Sequence, residues 1–194
     1  MLTHTLLAAA VSATLLLAVD DHGSEAEDAA EPTVEASFEK MSGGKADRFE
    51  MEDGVEAELS EEHVTDGDMS LKLTTDKEGF VNLLKHYEGS SPYIGGGTLS
   101  FDIAAGDDYT EHEQGWPLQA YVAVGGNASE FEVIDPVNIT PGEEPETVEF
   151  ELPDYSDDGN DQYYGIFVGI NNVGPDGATV FIDNLKFVPA DDED

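Results

Sequence analysis

The chain has 194 residues, 44 Asp and Glu against 7 Lys and Arg, a formal net charge of −37 and no cysteine. Seven scattered bases cannot build the patch that displaces counterions from a polyphosphate, so nucleic acid is excluded as a partner, and an anionic membrane surface with it. Without cysteine there is no disulfide framework, no thiolate nucleophile and no Cys-ligated zinc or iron–sulfur site, and any metal must be held by oxygen or imidazole.

The length is that of one domain, and 39% hydrophobic residues, with 9 Phe and 7 Tyr among them, suffice for a single core. Most carboxylates cannot be paired and repel one another unless ions screen them, which fits a saline environment. An acidic surface that takes calcium or a cationic partner is the alternative.

Residues 1–19 carry no charged side chain, and Leu6 to Val19 is a continuous apolar run. Its length suits the h-region of a signal peptide rather than a membrane span, although the segment before it offers only the α-amino group and His4 as positive charge. Export follows, with cleavage after Ala18 or Ala26. Residues 20–32 form an acidic linker without aromatics, closed by Pro32, and residues 190–194 an acidic tail; both have the composition of solvated, disordered spacers.

Between residues 33 and 189 the hydrophobic period is two, the signature of strands with alternate side chains on opposite faces. The runs are Val34/Ala36/Phe38, Met69/Leu71/Leu73, Phe80–Leu84, Leu99/Phe101/Ile103, Leu118/Ala120/Val122/Val124, Glu130–Ile134, Val148/Phe150/Leu152, Tyr164/Ile166/Val168/Ile170 and Thr179–Val188. Turn chemistry separates them at Thr65-Asp66-Gly67-Asp68, Ile94-Gly95-Gly96-Gly97, Gly125-Gly126-Asn127 and Pro175-Asp176-Gly177. The spacing predicts an all-β fold, a two-sheet antiparallel β-sandwich or jelly roll. In the last strand an Asp183-Asn184 pair interrupts an apolar run. A buried carboxylate needs a hydrogen-bond network, a salt bridge or a cation, and because bases are scarce the expectation is a cation, with an Asp that caps a bulge as the alternative.

Phe38-Glu39, Val64–Leu73 (VTDGDMSLKL), Leu99–Ile103 (LSFDI) and Val180–Leu185 (VFIDNL) resemble, in this order, the galactose-binding-like jelly-roll carbohydrate-binding modules appended to xylanases and cellulases. The resemblance spans nearly all of residues 33–188. It implies a structural calcium between the first and last strands, with Glu39 and Asp183 as side-chain ligands and Asp66 or Asp68 and main-chain carbonyls of the 66–69 loop as further candidates; calcium takes about 6–8 oxygens. The alternative is an exposed Glu39 and an ordinary turn at Asp66-Gly67-Asp68.

The resemblance also implies sugar binding, in which pyranose rings dock on aromatic faces while Asn, Gln, Asp and Glu read hydroxyls. The candidates are Tyr109, Trp116, Gln119 and Tyr121, with Tyr87 and Tyr93 flanking another loop. Trp116 shares the phase of Leu118 and Ala120, so a core position is its alternative; Gln119 and Tyr121 point outward if Leu118 and Val122 face the interior.

Other stretches carry less. Asp154–Gly165 has Gly at the sixth position of a calcium loop but Gly165 where a bidentate Glu is required. Glu111-His112-Glu113 alternates faces on a strand, His63 and His86 are isolated, and no nucleophile elbow or phosphate loop occurs. Asn127-Ala128-Ser129 and Asn138-Ile139-Thr140 are sequons. The expectation is therefore an exported, non-enzymatic, calcium-stabilised module that binds a carbohydrate, alone or beside separately encoded glycan-active enzymes. The alternatives are a structural or adhesive surface module without a sugar site, and a small polysaccharide lyase or hydrolase, which needs facing acid and base groups that the sequence does not single out.

Overall fold

The computed structural model describes residues 31–87, 92–109, 112–127, 130–155 and 165–190. The signal segment, most of the acidic linker, nearly all of the acidic tail, Glu111, the 127–129 sequon, most of the 154–165 loop and Tyr164 fall wholly or partly outside these residues.

The elements in chain order are β1 (Val34–Ala36), β2 (Met41–Ser42), β3 (Lys45–Ala46), β4 (Phe49–Met51), β5 (Val55–Ser60), β6 (Ser70–Thr75), β7 (Gly79–Tyr87), β8 (Gly97–Ala105), β9 (Gln119–Asn127), β10 (Glu130–Val133), β11 (Val137–Asn138), β12 (Glu146–Leu152), β13 (Gly165–Val173) and β14 (Ala178–Pro189). They form two antiparallel sheets. Sheet I has the order β12-β8-β14-β6-β5, with β1 paired to β14 beyond the end of β6. Sheet II has the order β10-β9-β13-β7-β4-β3-β2, with β11 also on β9. The jelly-roll sandwich expected from the period-two runs is the fold that forms.

Each sheet turns one side-chain phase inward. Sheet I contributes Leu71 and Leu73, Leu99, Phe101 and Ile103, Val148, Phe150 and Leu152, and Val180, Ile182, Leu185 and Phe187. Sheet II answers with Val81 and Leu84, Ala120, Val122 and Val124, and Ile166, Val168 and Ile170. At one side of this core His86 Nδ1 lies 2.5 Å from the Tyr93 hydroxyl, with both side chains buried, and Phe49 and Phe187 pack on the pair.

Two features depart from the sequence reading. The segment Met41–Ser60 forms β2 to β5, where no strand was expected; β2 to β4 are only two or three residues long, too short for a period to show, while Val55/Ala57/Leu59 of β5 do alternate with Glu56 and Glu58. Gly125 belongs to β9 rather than to a turn and pairs with both Gly165 and Phe131. The Pro175-Asp176-Gly177 turn does join β13 to β14. Gly177 has φ +83°, and a Cβ there would meet Thr75 O at 2.0 Å.

Leu73 is fully buried between the sheets. Leu73→Ala should therefore cost about 2–5 kcal/mol of unfolding free energy, read from the denaturant midpoint at unchanged slope. A change below about 0.5 kcal/mol, the ordinary range for surface positions, would contradict the packing described.

Candidate functional site

The face of sheet II turned away from the core is unusual because it too is apolar. Strand register sets it out in rows. Phe131, Gly125, Gly165 and Tyr87 lie across β10, β9, β13 and β7, and Val133, Ala123, Phe167 and Lys85 form the next row, with Glu50 of β4 beside Lys85. Tyr121, Gly169 and Asn82 follow, then Asn138, Gln119 and Asn171. Tyr121, Ala123 and Phe167 form a buried cluster separate from the main core, with Phe131 packed against it.

The rings are layered. Tyr121 lies across Gly169, where an added Cβ would sit 2.2 Å from its ring, and its hydroxyl donates to Asn82 Oδ1. Tyr87 covers Gly165 in the same way and meets Phe167 edge-on. Phe80 stacks on Tyr121 at 4.1 Å and 18°, and Phe131 lies 6.3 Å from Phe80 with planes 11° apart. Phe80 is 44% exposed and Tyr87 38%, whereas Tyr121 is fully buried. Burial, with the charge of Glu52 added, pushes the Tyr121 and Tyr87 phenols above the usual tyrosine value.

Polar groups rim these rings. Gln119 Nε2 donates to Asn138 Oδ1 at 2.9 Å, and Asn172 Nδ2 donates to Gln119 Oε1 and to Pro117 O. Lys45 pairs with Glu50 at 2.5 Å and Lys85 with Glu52 at 3.1 Å. Phe80, Phe131, Val133, Asn82 and Asn171 were not singled out from sequence, although Phe80 and Asn82 alternate with Val81 and so announce an outward phase.

The sequence candidates for sugar contact divide into groups. Tyr87, Gln119 and Tyr121 share the outer face of sheet II, as the phase argument expected, but Tyr121 is roofed by Phe80. Trp116 is 50% exposed, outside the core, and stacks on His112 at 4.9 Å and 8° in the loop before β9. Tyr109 is partly buried and donates to Asn172 O. Tyr93 faces the main core through His86 and Phe187, because its loop folds over the end of the sandwich, and so has no surface to offer a ligand.

The proposed metal ligands lie along one loop but at its two ends, and among the described residues no three His, Asp or Glu side chains converge as a metal-binding group. Asp183 sits at the register shift of β14, 1% exposed, and Oδ2 accepts from Thr65 N, Thr65 Oγ1 and Asp66 N. Its Oδ1 accepts from Asn184 N. Glu39 Oε1 accepts from Asp68 N and Met69 N at the other end of the loop, while the Asp66 and Asp68 side chains are exposed. Hydrogen bonds at a bulge thus satisfy this carboxylate. Across the strand pair, Asp102 accepts from Thr147 Oγ1 and Asn184 Nδ2. Asn184 Oδ1 is buried without a hydrogen-bond partner.

Burial alone would push the Asp102 carboxyl up, but hydrogen bonds from Thr147 and Asn184 and the charge of Lys186 together hold it below the usual carboxylate value. A depressed folded-state pKa contributes stability that is present above the unfolded value of about 3.9 and is lost as pH falls through the folded value. Asp102→Asn should therefore lower the thermal midpoint at neutral pH and flatten its decline between about pH 5 and pH 2. An equally steep acid decline in the variant would remove Asp102 from that linkage.

No family model matches the chain, and no curated protein sequence matches it. Solved structures do. A xylan-binding domain of family 22 from Paenibacillus barcinonensis superposes with TM-score 0.59 at 13% identity, over 84% of this chain and 97% of that one. The C-terminal family 22 carbohydrate-binding module of a Clostridium thermocellum protein, described with a cleft for ligand binding, gives TM-score 0.54 at 16% identity, over 84% and 98%. An exo-β-agarase gives 0.55 at 12% identity, over 82% of this chain and 25% of that one. The chain shares the two-sheet jelly-roll β-sandwich fold of these domains.

Proposed function

We propose that this protein binds a carbohydrate non-catalytically through the outer face of sheet II. The observation that carries the reading is Phe80: a half-exposed ring held level by the Tyr121 ring beneath it, among Tyr87, Phe131 and Val133 and beside a rim of Asn and Gln. A C–H-rich sugar face packs on such rings. The likeness to xylan-binding domains supports the same reading. An exported protein acting outside the cell in saline surroundings agrees with the apolar run Leu6–Val19 and the charge of −37.

Structural calcium at the 65–69 loop belongs to this proposal. The donors fit a hard cation in kind, being the carboxylates of Glu39 and Asp183, the unpartnered Oδ1 of Asn184 and loop carbonyls. Glu39 Oε1 and Asp183 Oδ2 already take loop N–H groups, so any bound calcium adds to a clamp that also closes without it. The wild-type thermal midpoint should rise in calcium over chelator, and Asp183→Ala should lower the midpoint and abolish that difference. A wild-type midpoint indifferent to chelator would remove the metal.

The binding reading is tested on an array of immobilised polysaccharides in high salt. The chain should be captured by one class of glycan, and Phe80→Ala should weaken capture by about tenfold or more, equivalent to about 1.4 kcal/mol, under conditions where its cooperative unfolding transition shows it still folded. Silence from the folded chain would favour the structural or adhesive alternative.

A further inference from the structure

We propose that the occupant of this face is the surface of an insoluble, uncharged polysaccharide, where parallel chains present one plane, and not a single soluble chain held in a groove. This rests on the carbohydrate-binding reading above and names its substrate class. A groove needs an open floor, and the backbone of sheet II could supply one at Gly165, Gly169 and Ala123. Each place is filled instead. The Tyr121 ring occupies the space over Gly169 and the Tyr87 ring that over Gly165, Phe80 roofs Tyr121, and Ala123 and Phe167 are buried. What reaches solvent is the outermost layer, Phe80, Tyr87 and Val133 with part of Phe131, and the Phe80 and Phe131 planes differ by 11°. A filled face gains its full contact only against a partner that is itself extended and level. A lone chain covers a strip and leaves the remaining rings in water.

Two further observations point the same way. Recognition of one chain relies on side chains free to read hydroxyls, yet the Asn82 carbonyl is taken by Tyr121 and both ends of the Gln119 amide by Asn138 and Asn172. Apolar contact therefore dominates over hydroxyl reading. Charge complementarity selects an uncharged polymer: Lys45 and Lys85 on this face are each held by a glutamate, and a uronate or sulfate ester would approach a chain of net charge −37.

The test mixes the purified chain, Phe80→Ala and Phe80→Trp with washed microcrystalline cellulose and with insoluble xylan, and titrates each calorimetrically with the corresponding hexaoses. The expected result is retention on at least one solid, reduced about tenfold or more by Phe80→Ala and kept by Phe80→Trp, with no saturable heat from a hexaose at millimolar concentration. A hexaose bound as tightly as the solid would overturn the surface inference and leave carbohydrate binding standing. Absence of both retention and heat would overturn the two together. Loss of retention in Phe80→Trp at an unchanged unfolding midpoint would also count against it, because that variant keeps a ring on Tyr121.

Discussion

A sandwich of two sheets has one interior, yet the central strands of sheet II carry apolar side chains on both phases, and the rest of the molecule is arranged around that surplus. In β9 and β13 the inward phase, Ala120, Val122, Val124, Ile166, Val168 and Ile170, completes the core. The outward phase, Tyr121, Ala123 and Phe167, would otherwise stand in water. Burying a large aromatic is worth several kcal/mol relative to exposing it, so the face closes over itself with rings from neighbouring strands. The closure works because Gly165 and Gly169 have no side chain to obstruct Tyr87 and Tyr121. The stacking that protects Tyr121 leaves Phe80 outermost, and what remains exposed is the part available to a ligand.

Sheet I solves a different problem. Its outer phase is acidic on both edge strands, with Glu56 and Glu58 on β5 and Glu149 and Glu151 on β12 exposed. Charged edge strands discourage pairing with another chain. Two carboxylates among the described residues are taken inside, Asp102 and Asp183; Asp183 is answered by main-chain N–H groups of a loop that is distant in sequence, so that β14 is tied to the 65–66 turn. Unpaired burial of that charge would be prohibitive. The loop geometry and the break in β14 are therefore two aspects of one interaction. The two outer faces thus differ in kind, one acidic and one apolar.

The sequence announced the sheets more clearly than the site. Runs such as Val148-Glu149-Phe150-Glu151-Leu152 declare both strand and inward face, because burial on one side enforces a strict alternation. The two- and three-residue strands β2 to β4 are too short to show that alternation and gain their order from pairing with one another and with β7, a tertiary effect, whereas β5 does alternate, Val55-Glu56-Ala57-Glu58-Leu59, and was legible but not read. For the site, phase was enough to place Gln119 and Tyr121 outward, but whether an outward ring is exposed depends on which ring lies above it. The roof is Phe80, which neighbours Tyr121 only once β7 and β9 both pair with β13. Tyr93 shows the converse: a tyrosine in a glycine-rich loop has the composition of a ligand contact, and only its hydroxyl at His86 reveals a core role. Asp183 was read correctly as needing partners, while the identity of the partners, loop N–H groups, is a matter of chain path.

If carbohydrate sits on the outer aromatic layer of sheet II, as proposed, adsorption covers that layer first. Oxidative footprinting of the chain, free and adsorbed to the polysaccharide it selects, reads this coverage residue by residue. Phe80, Phe131 and Tyr87 should lose reactivity on adsorption, while His63 and Met69, near the loop that Asp183 and Glu39 hold, stay as reactive as in solution. Undiminished oxidation of Phe80 and Tyr87 in the adsorbed chain would contradict that placement.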